Sequence, residues 1–251
     1  MPILGLLHIL IALFFAVHVV RTGRELYWLF LLFIFPMLGS AVYFFAVFLP
    51  QSRLERTLGK AGAIVRDKLD PGRALREARA AFDLTPTAYN QSALANAYLA
   101  AGMFGKAVEQ YDACLRGPFA GDPDIRMAAA EARLAHQQPN DAAAALVELR
   151  KTHPNFKLEQ VGLLLARAYA AADMHGEAGM EFAAAVERFA SLEGRAEYAL
   201  WALSQREQAV ANAQIKELNH SRKHMTAQAQ AQHAAIFRRL DAAVAQQALE
   251  R

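Results

Sequence analysis

NQSALANAYLAAGMFGKAVEQYDACL, residues 90–115, decides how the chain is read. Small and aromatic residues recur at helical spacing as Leu94, Ala95 and Tyr98, and again as Ala107, Tyr111 and Cys114. Gly102 and Gly105 lie between the two sets, where a turn must reverse the chain. The same plan returns without gaps in RMAAAEARLAHQQPNDAAAALVEL, residues 126–149, and in VGLLLARAYAAADMHGEAGMEFAAAV, residues 161–186. Tyr98, Arg133 and Tyr169 correspond, as do Ala107, Ala142 and Ala178, and then Tyr111, Leu146 and Phe182, at steps of 35 and 36 residues. One such helix pair cannot bury its own apolar face, so the copies must stack on one another. The expected fold class is all-α.

Period and pattern together resemble the tetratricopeptide repeat (TPR), a unit of two antiparallel helices. Its signature falls on Leu94, Ala95, Tyr98, Ala107, Tyr111 and Cys114, and again on Leu165, Ala166, Tyr169, Ala178, Phe182 and Ala185. The middle copy departs from it, with Arg133 where an aromatic is usual. A degenerate copy precedes these through Leu58, Gly62, Ala74, Ala78 and Ala81, and Pro86, Pro118 and Pro154 punctuate the helix ends, because proline cannot continue a helix. The resemblance implies a right-handed helical-repeat solenoid over residues 51–190. Residues 191–251 are expected to hold a degenerate repeat and a C-terminal capping helix with the polar outer face that solenoid ends need.

Ahead of the repeats, two apolar runs span about residues 3–20 and 27–49, separated by Arg21 to Glu25. Each is about long enough, at ~1.5 Å per residue, for a ~30 Å hydrocarbon core. Residues 1–50 are therefore expected to form a two-span transmembrane hairpin. The N-terminus has no basic n-region and no small-residue cleavage site, so the first run reads as retained. Trp28 suits a headgroup interface, Pro36 loosens the second run, and Gly39 lets another helix approach closely. Trp28, Pro36, Gly39 and Tyr43 resemble the small N-terminal membrane domain of bacterial cardiolipin synthases, which precedes phospholipase D catalytic domains. Their His-x-Lys-x-x-x-x-Asp motif is missing, since none of the eight histidines is followed two places later by lysine. Only the anchor is shared. Counting basic residues beside the runs sets Arg21 and Arg24 in the turn against Arg53, Arg56, Lys60, Arg66 and Lys68 beyond it. The expectation is an integral protein of the bacterial inner membrane with the repeats on the cytoplasmic side. His8 and His18 lie within the first run, near enough to its ends to reach headgroups.

The formal net charge of +3 is small and the basic residues are scattered, which argues against nucleic acid as a partner. The single cysteine, Cys114, excludes an internal disulfide framework and fits a reducing compartment. No nucleophile, base and orienting group cluster in the sequence, so no catalytic residue and no cofactor are expected. His220 and His224 are four apart, as in a two-histidine metal pair, but no further ligand clusters with them and no metal site is expected.

Function should reside on the face that first helices present. Carrying over the family's groove places gives Arg56 and Arg66, then Tyr89, Ser92 and Asn96, then Met127 and Glu131, then Gln160 and Arg167. Asn96 occupies the place that commonly grips a peptide backbone, and Arg167 would meet a carboxylate by charge-assisted hydrogen bonds. Glu131 argues against a uniformly acidic ligand. The family's two-lysine clamp is absent. The expected protein is a membrane-anchored adaptor holding a protein or peptide partner in its groove, with lipids around the hairpin. The alternative makes the hairpin the active, lipid-associated part. Self-association is left open, through stacked repeats or through Gly39.

Overall fold

The computed structural model describes residues 2–21, 25, 27–44, 47, 70 and 72–249, and no strand occurs among them. The chain forms two compact units, Met1–Pro71 and Gly72–Arg251.

In the first unit, α1 (Pro2–Arg21) packs with α2 (Tyr27–Ile34) and α3 (Pro36–Tyr43). The second apolar run is not one helix. A residue before proline is pushed out of the helical region, and proline itself brings no N–H. Phe35 accordingly takes φ −124° and ψ 72°, and α3 starts afresh at Pro36. Gly39 makes the resulting bend feasible. A Cβ there would collide with the backbone carbonyl of Leu31, so the glycine serves approach across this bend. Phe15, Val19, Leu32, Tyr43 and Val47 are buried together, with Trp28 packed against them. Tyr43 is fully buried, its ring 5.3 Å from that of Trp28, and its hydroxyl lies 2.9 Å from His18 Nδ1. His18 therefore turns inward to a side-chain partner rather than outward. Leu13, Phe14, Val17 and Val20 of α1 remain half or more exposed.

This geometry corrects the expected transmembrane hairpin. Among the described residues no helix is long and apolar enough to cross a membrane. The second run is split into two helices of 8 residues each, about 12 Å apiece at ~1.5 Å per residue, against the ~30 Å a span must cover. The expected spans at 3–20 and 27–49 are withdrawn, and with them the integral-membrane, inner-membrane and cytoplasmic-side placement that rested on them. Trp28, Gly39 and Tyr43 instead build a small helical core.

The second unit is a series of helix pairs. After α4 (Arg73–Leu84) come α5 (Ala88–Ala100) with α6 (Phe104–Leu115), α7 (Pro123–Ala135) with α8 (Pro139–Thr152), and α9 (Leu158–Ala171) with α10 (His175–Phe189). A fourth pair, α11 (Leu192–Ser204) and α12 (Gln208–His224), follows, and α13 (Ala227–Gln232) and α14 (Ala234–Leu249) close the series. Three first helices start at a polar side chain that accepts a free backbone N–H. Thr87 takes that of Asn90, Asp122 that of Ile125, and Ser191 that of Gly194. The turn inside each pair carries one residue at positive φ: Gly102, Gln137, Asp173 and Arg206, at 71°, 59°, 59° and 62°.

Packing follows the repeat. Leu94, Ala95, Tyr98, Ala107 and Tyr111 form one core with Ala129 and Ala132 of the next pair. Ala130, Ala142, Leu146, Leu149, Leu164 and Leu165 form the next. Phe182 then stacks on Tyr198 and packs at a tilt against Trp201, and the two rings of the fourth pair also stack on each other. Alanine is buried wherever facing helices approach closely, and each large side chain beside it stabilises by roughly 1.5–3 kcal/mol on burial. At the aromatic place of the second pair, Arg133 pairs instead with Asp112 of α6. The capping helix α14 adds Leu240 to the core of Ala196, Ala199 and Leu218.

Candidate functional site

The first helices α5, α7, α9 and α11 succeed one another, so positions one repeat apart recur along a common face. On α5, Tyr89 is 82% exposed, Ser92 is half-buried and Asn96 is exposed. The Oδ1 of Asn96 accepts a 2.6 Å hydrogen bond from the hydroxyl of Tyr111. That bond holds the amide of an exposed side chain in place. Tyr111 is fully buried, and its phenol is pushed up to about 12, first by burial and then by the neighbouring charge of Glu131.

Further along, Met127 and Glu131 of α7 and Gln160 and Arg167 of α9 line one cavity of about 380 Å³. Tyr89, Ser92 and Asn96 do not line it, and Arg66 and Arg56 lie outside the described residues, as do Leu58 and Gly62. The lining is apolar through Met127, Leu163, Leu164 and Leu192 and acidic through Glu131, Glu159, Glu193 and Glu197. His233, just before α14, also lines it. Glu197 is met by Arg239 of α14 at 3.5 Å. Among the described residues, no ion pair or side-chain hydrogen bond engages Glu131, Glu159, Glu193 or Arg167.

Sequence reading missed Glu159, Glu193, Glu197 and His233. Glu159 adjoins the expected Gln160. Glu197 stands one helix pair beyond Leu163, on a first helix that Tyr198, Leu200, Trp201 and Leu203 already suggest, but the groove places were not carried that far. Serine-capped α11 was the available signal: Ser191 begins a first helix in the same way as Thr87 and Asp122. His233 had no signal of this kind, because α13 and α14 depart from the repeat.

Other chemistry-bearing side chains stand apart. Cys114 is buried with its Sγ 3.9 Å from the Ala88 carbonyl, and burial pushes its thiol up from the ordinary value. His220 and His224 lie on α12 with ring centroids 4.7 Å apart. Among the described residues no group of three or more His, Cys, Asp or Glu side chains is placed to hold a metal ion.

Among solved structures, the chain is similar to the crystal structure of a thermophilic TPR protein from Thermus thermophilus. The two share 18% identity with a TM-score of 0.56, over 74% of this chain and 96% of that one. The fold is thus a TPR-like helical repeat. No protein-family model and no curated protein matches the chain, so the likeness of residues 3–50 to the cardiolipin synthase N-terminal domain finds no support.

Proposed function

We propose that the chain is a protein-binding scaffold that holds a segment of a partner against its first helices and carries out no catalysis of its own. One observation carries this reading. Glu131 and Arg167, one repeat apart, line a single cavity, and among the described residues no ion pair or side-chain hydrogen bond engages either. An apolar floor beneath a few convergent polar groups is the usual make-up of a site for a ligand segment. The TPR-like fold supports the same conclusion, because repeat stacks expose long surfaces suited to extended partners. Asn96 extends the face by one repeat, with an exposed amide that can bond a peptide backbone.

The test is affinity capture from cells that produce the protein, comparing wild type with Asn96→Ala/Arg167→Ala. Both side chains are exposed, but Asn96→Ala removes the acceptor of the buried Tyr111 hydroxyl, so a thermal melt must accompany the capture and show the variant folded. A partner retained by wild type and lost by the variant supports the groove. Equal retention by both moves binding to another face.

A further inference from the structure

We propose that the segment held in the α7–α9–α11 groove is basic, presenting a lysine or arginine side chain to Glu131, Glu159 and Glu193. This inference rests on the binding function just proposed and specifies the chemistry of the partner.

Charge is the deciding feature. Four carboxylates and one arginine line the cavity. The Glu197 carboxylate is neutralised from within the chain, by the Arg239 guanidinium at 3.5 Å. Glu131, Glu159 and Glu193 receive no such cation among the described residues, and Arg167 engages none of them. The groove therefore carries about two negative charges in excess of its positive ones. Carboxylates gathered over a low-dielectric floor of Leu163, Leu164 and Met127 focus their field, which attracts cations and repels anions. Arg239 of α14, itself outside the cavity lining, shows that a guanidinium can pair with one of these carboxylates. A partner side chain entering from solvent would do likewise for the other three.

Arg167 sets a second condition. An uncompensated guanidinium at the same cavity disfavours a run of consecutive cations. It favours a segment in which a backbone carbonyl or a carboxylate lies near the basic residue. The expected ligand is hence a short segment of mixed polarity with one or two basic residues and apolar side chains for the floor. Strongly acidic segments should be excluded.

The experiment uses the full-length chain and three pools of N-acetylated, C-amidated fluorescent octapeptides. The pools share randomised apolar and polar positions and differ at two fixed central places, which hold lysine, glutamine or glutamate. Fluorescence anisotropy is read at low and high salt. The lysine pool should bind at least about tenfold more tightly than the glutamine pool, the glutamate pool should not bind, and salt should erode the difference. Glu131→Gln/Glu159→Gln/Glu193→Gln should remove the preference for lysine, while Glu217→Gln on α12, away from the cavity, should leave it intact. Equal binding of the lysine and glutamine pools, or preference for glutamate, would overturn the basic-segment inference and leave the groove as a binding site. Binding of no pool would overturn the groove reading itself. The glutamines keep size and hydrogen bonding, and an unchanged thermal melt of the triple variant shows that lost preference is not lost folding.

Discussion

The hydroxyl of Tyr111 donates a 2.6 Å hydrogen bond to Oδ1 of Asn96, joining the second helix of a pair to the exposed face of the first. The core and the candidate binding face thus share one bond. Tyr111→Phe should cost about 1 kcal/mol, the usual net worth of such a bond, seen as a lower urea midpoint with an unchanged slope.

The same phenol gives a pH signature. Its folded value of about 12 lies above the ordinary 10.0, so the folded state holds the proton more tightly than the unfolded chain. The stability this contributes is complete below pH 10 and is lost as pH rises through 12. Urea midpoints measured from pH 9 upward should fall for wild type and fall less for Tyr111→Phe. Equal slopes would show that other groups govern the alkaline limb.

Arg133 replaces an aromatic and pairs with Asp112 across consecutive helix pairs, with both side chains partly exposed. A double-mutant cycle with Arg133→Met and Asp112→Asn should give a coupling of roughly 0.5–1 kcal/mol. Salt should reduce it. Coupling near zero would mean that Arg133 acts through its aliphatic stem alone.

The four turns at positive φ should respond according to residue type. Gly102→Ala forces a Cβ into the left-handed region and should destabilise by about 1 kcal/mol. Gln137→Gly and Asp173→Gly relieve that strain and should each stabilise by roughly 0.5–1 kcal/mol. Thermal melts read both, because ~1 kcal/mol moves Tm by about 2–4 °C at this size.

Gly39 offers a test of the first unit. Its added Cβ would strike the Leu31 carbonyl, part of the backbone, so Gly39→Ala must open the bend between α2 and α3. The chain has two tryptophans, and in a Trp201→Phe background Trp28 alone reports on this unit. Gly39→Ala should shift Trp28 emission to the red as its contact with Tyr43 loosens. Unchanged emission would mean that the bend survives the methyl group.

The repeats were legible because their physics is local. Alanines at 107, 142 and 178 mark close helix contacts, and the turn glycine at 102 marks a reversal, so period and helix pairing could be read directly. The second apolar run was not legible. Its composition is the same whether it runs straight or bends, and proline is tolerated in straight membrane helices. Pro36 and Gly39 permit the bend, and the packing of Tyr43 on Phe15 and Trp28 accompanies it. For the binding face, the repeat supplied Glu131, Gln160 and Arg167, because equal places recur along one surface. Glu193, Glu197 and His233 join them only through the stacking of α11 and the return of α14, which no repeat period encodes. Arg206 at positive φ shows that the fourth pair keeps the turn after losing the sequence signature.

The stacking of each helix pair on its neighbours alone also leaves the order of events in time open. When all contacts are short in sequence, any pair can start folding and its neighbours can add to it, quickly and from either side. Each pair brings its own buried junction: Tyr111 in the first, Leu146 and Leu149 in the second, Phe182 in the third. Folding can therefore begin at any of them and spread to the pairs on either side, with no single pair obliged to form first.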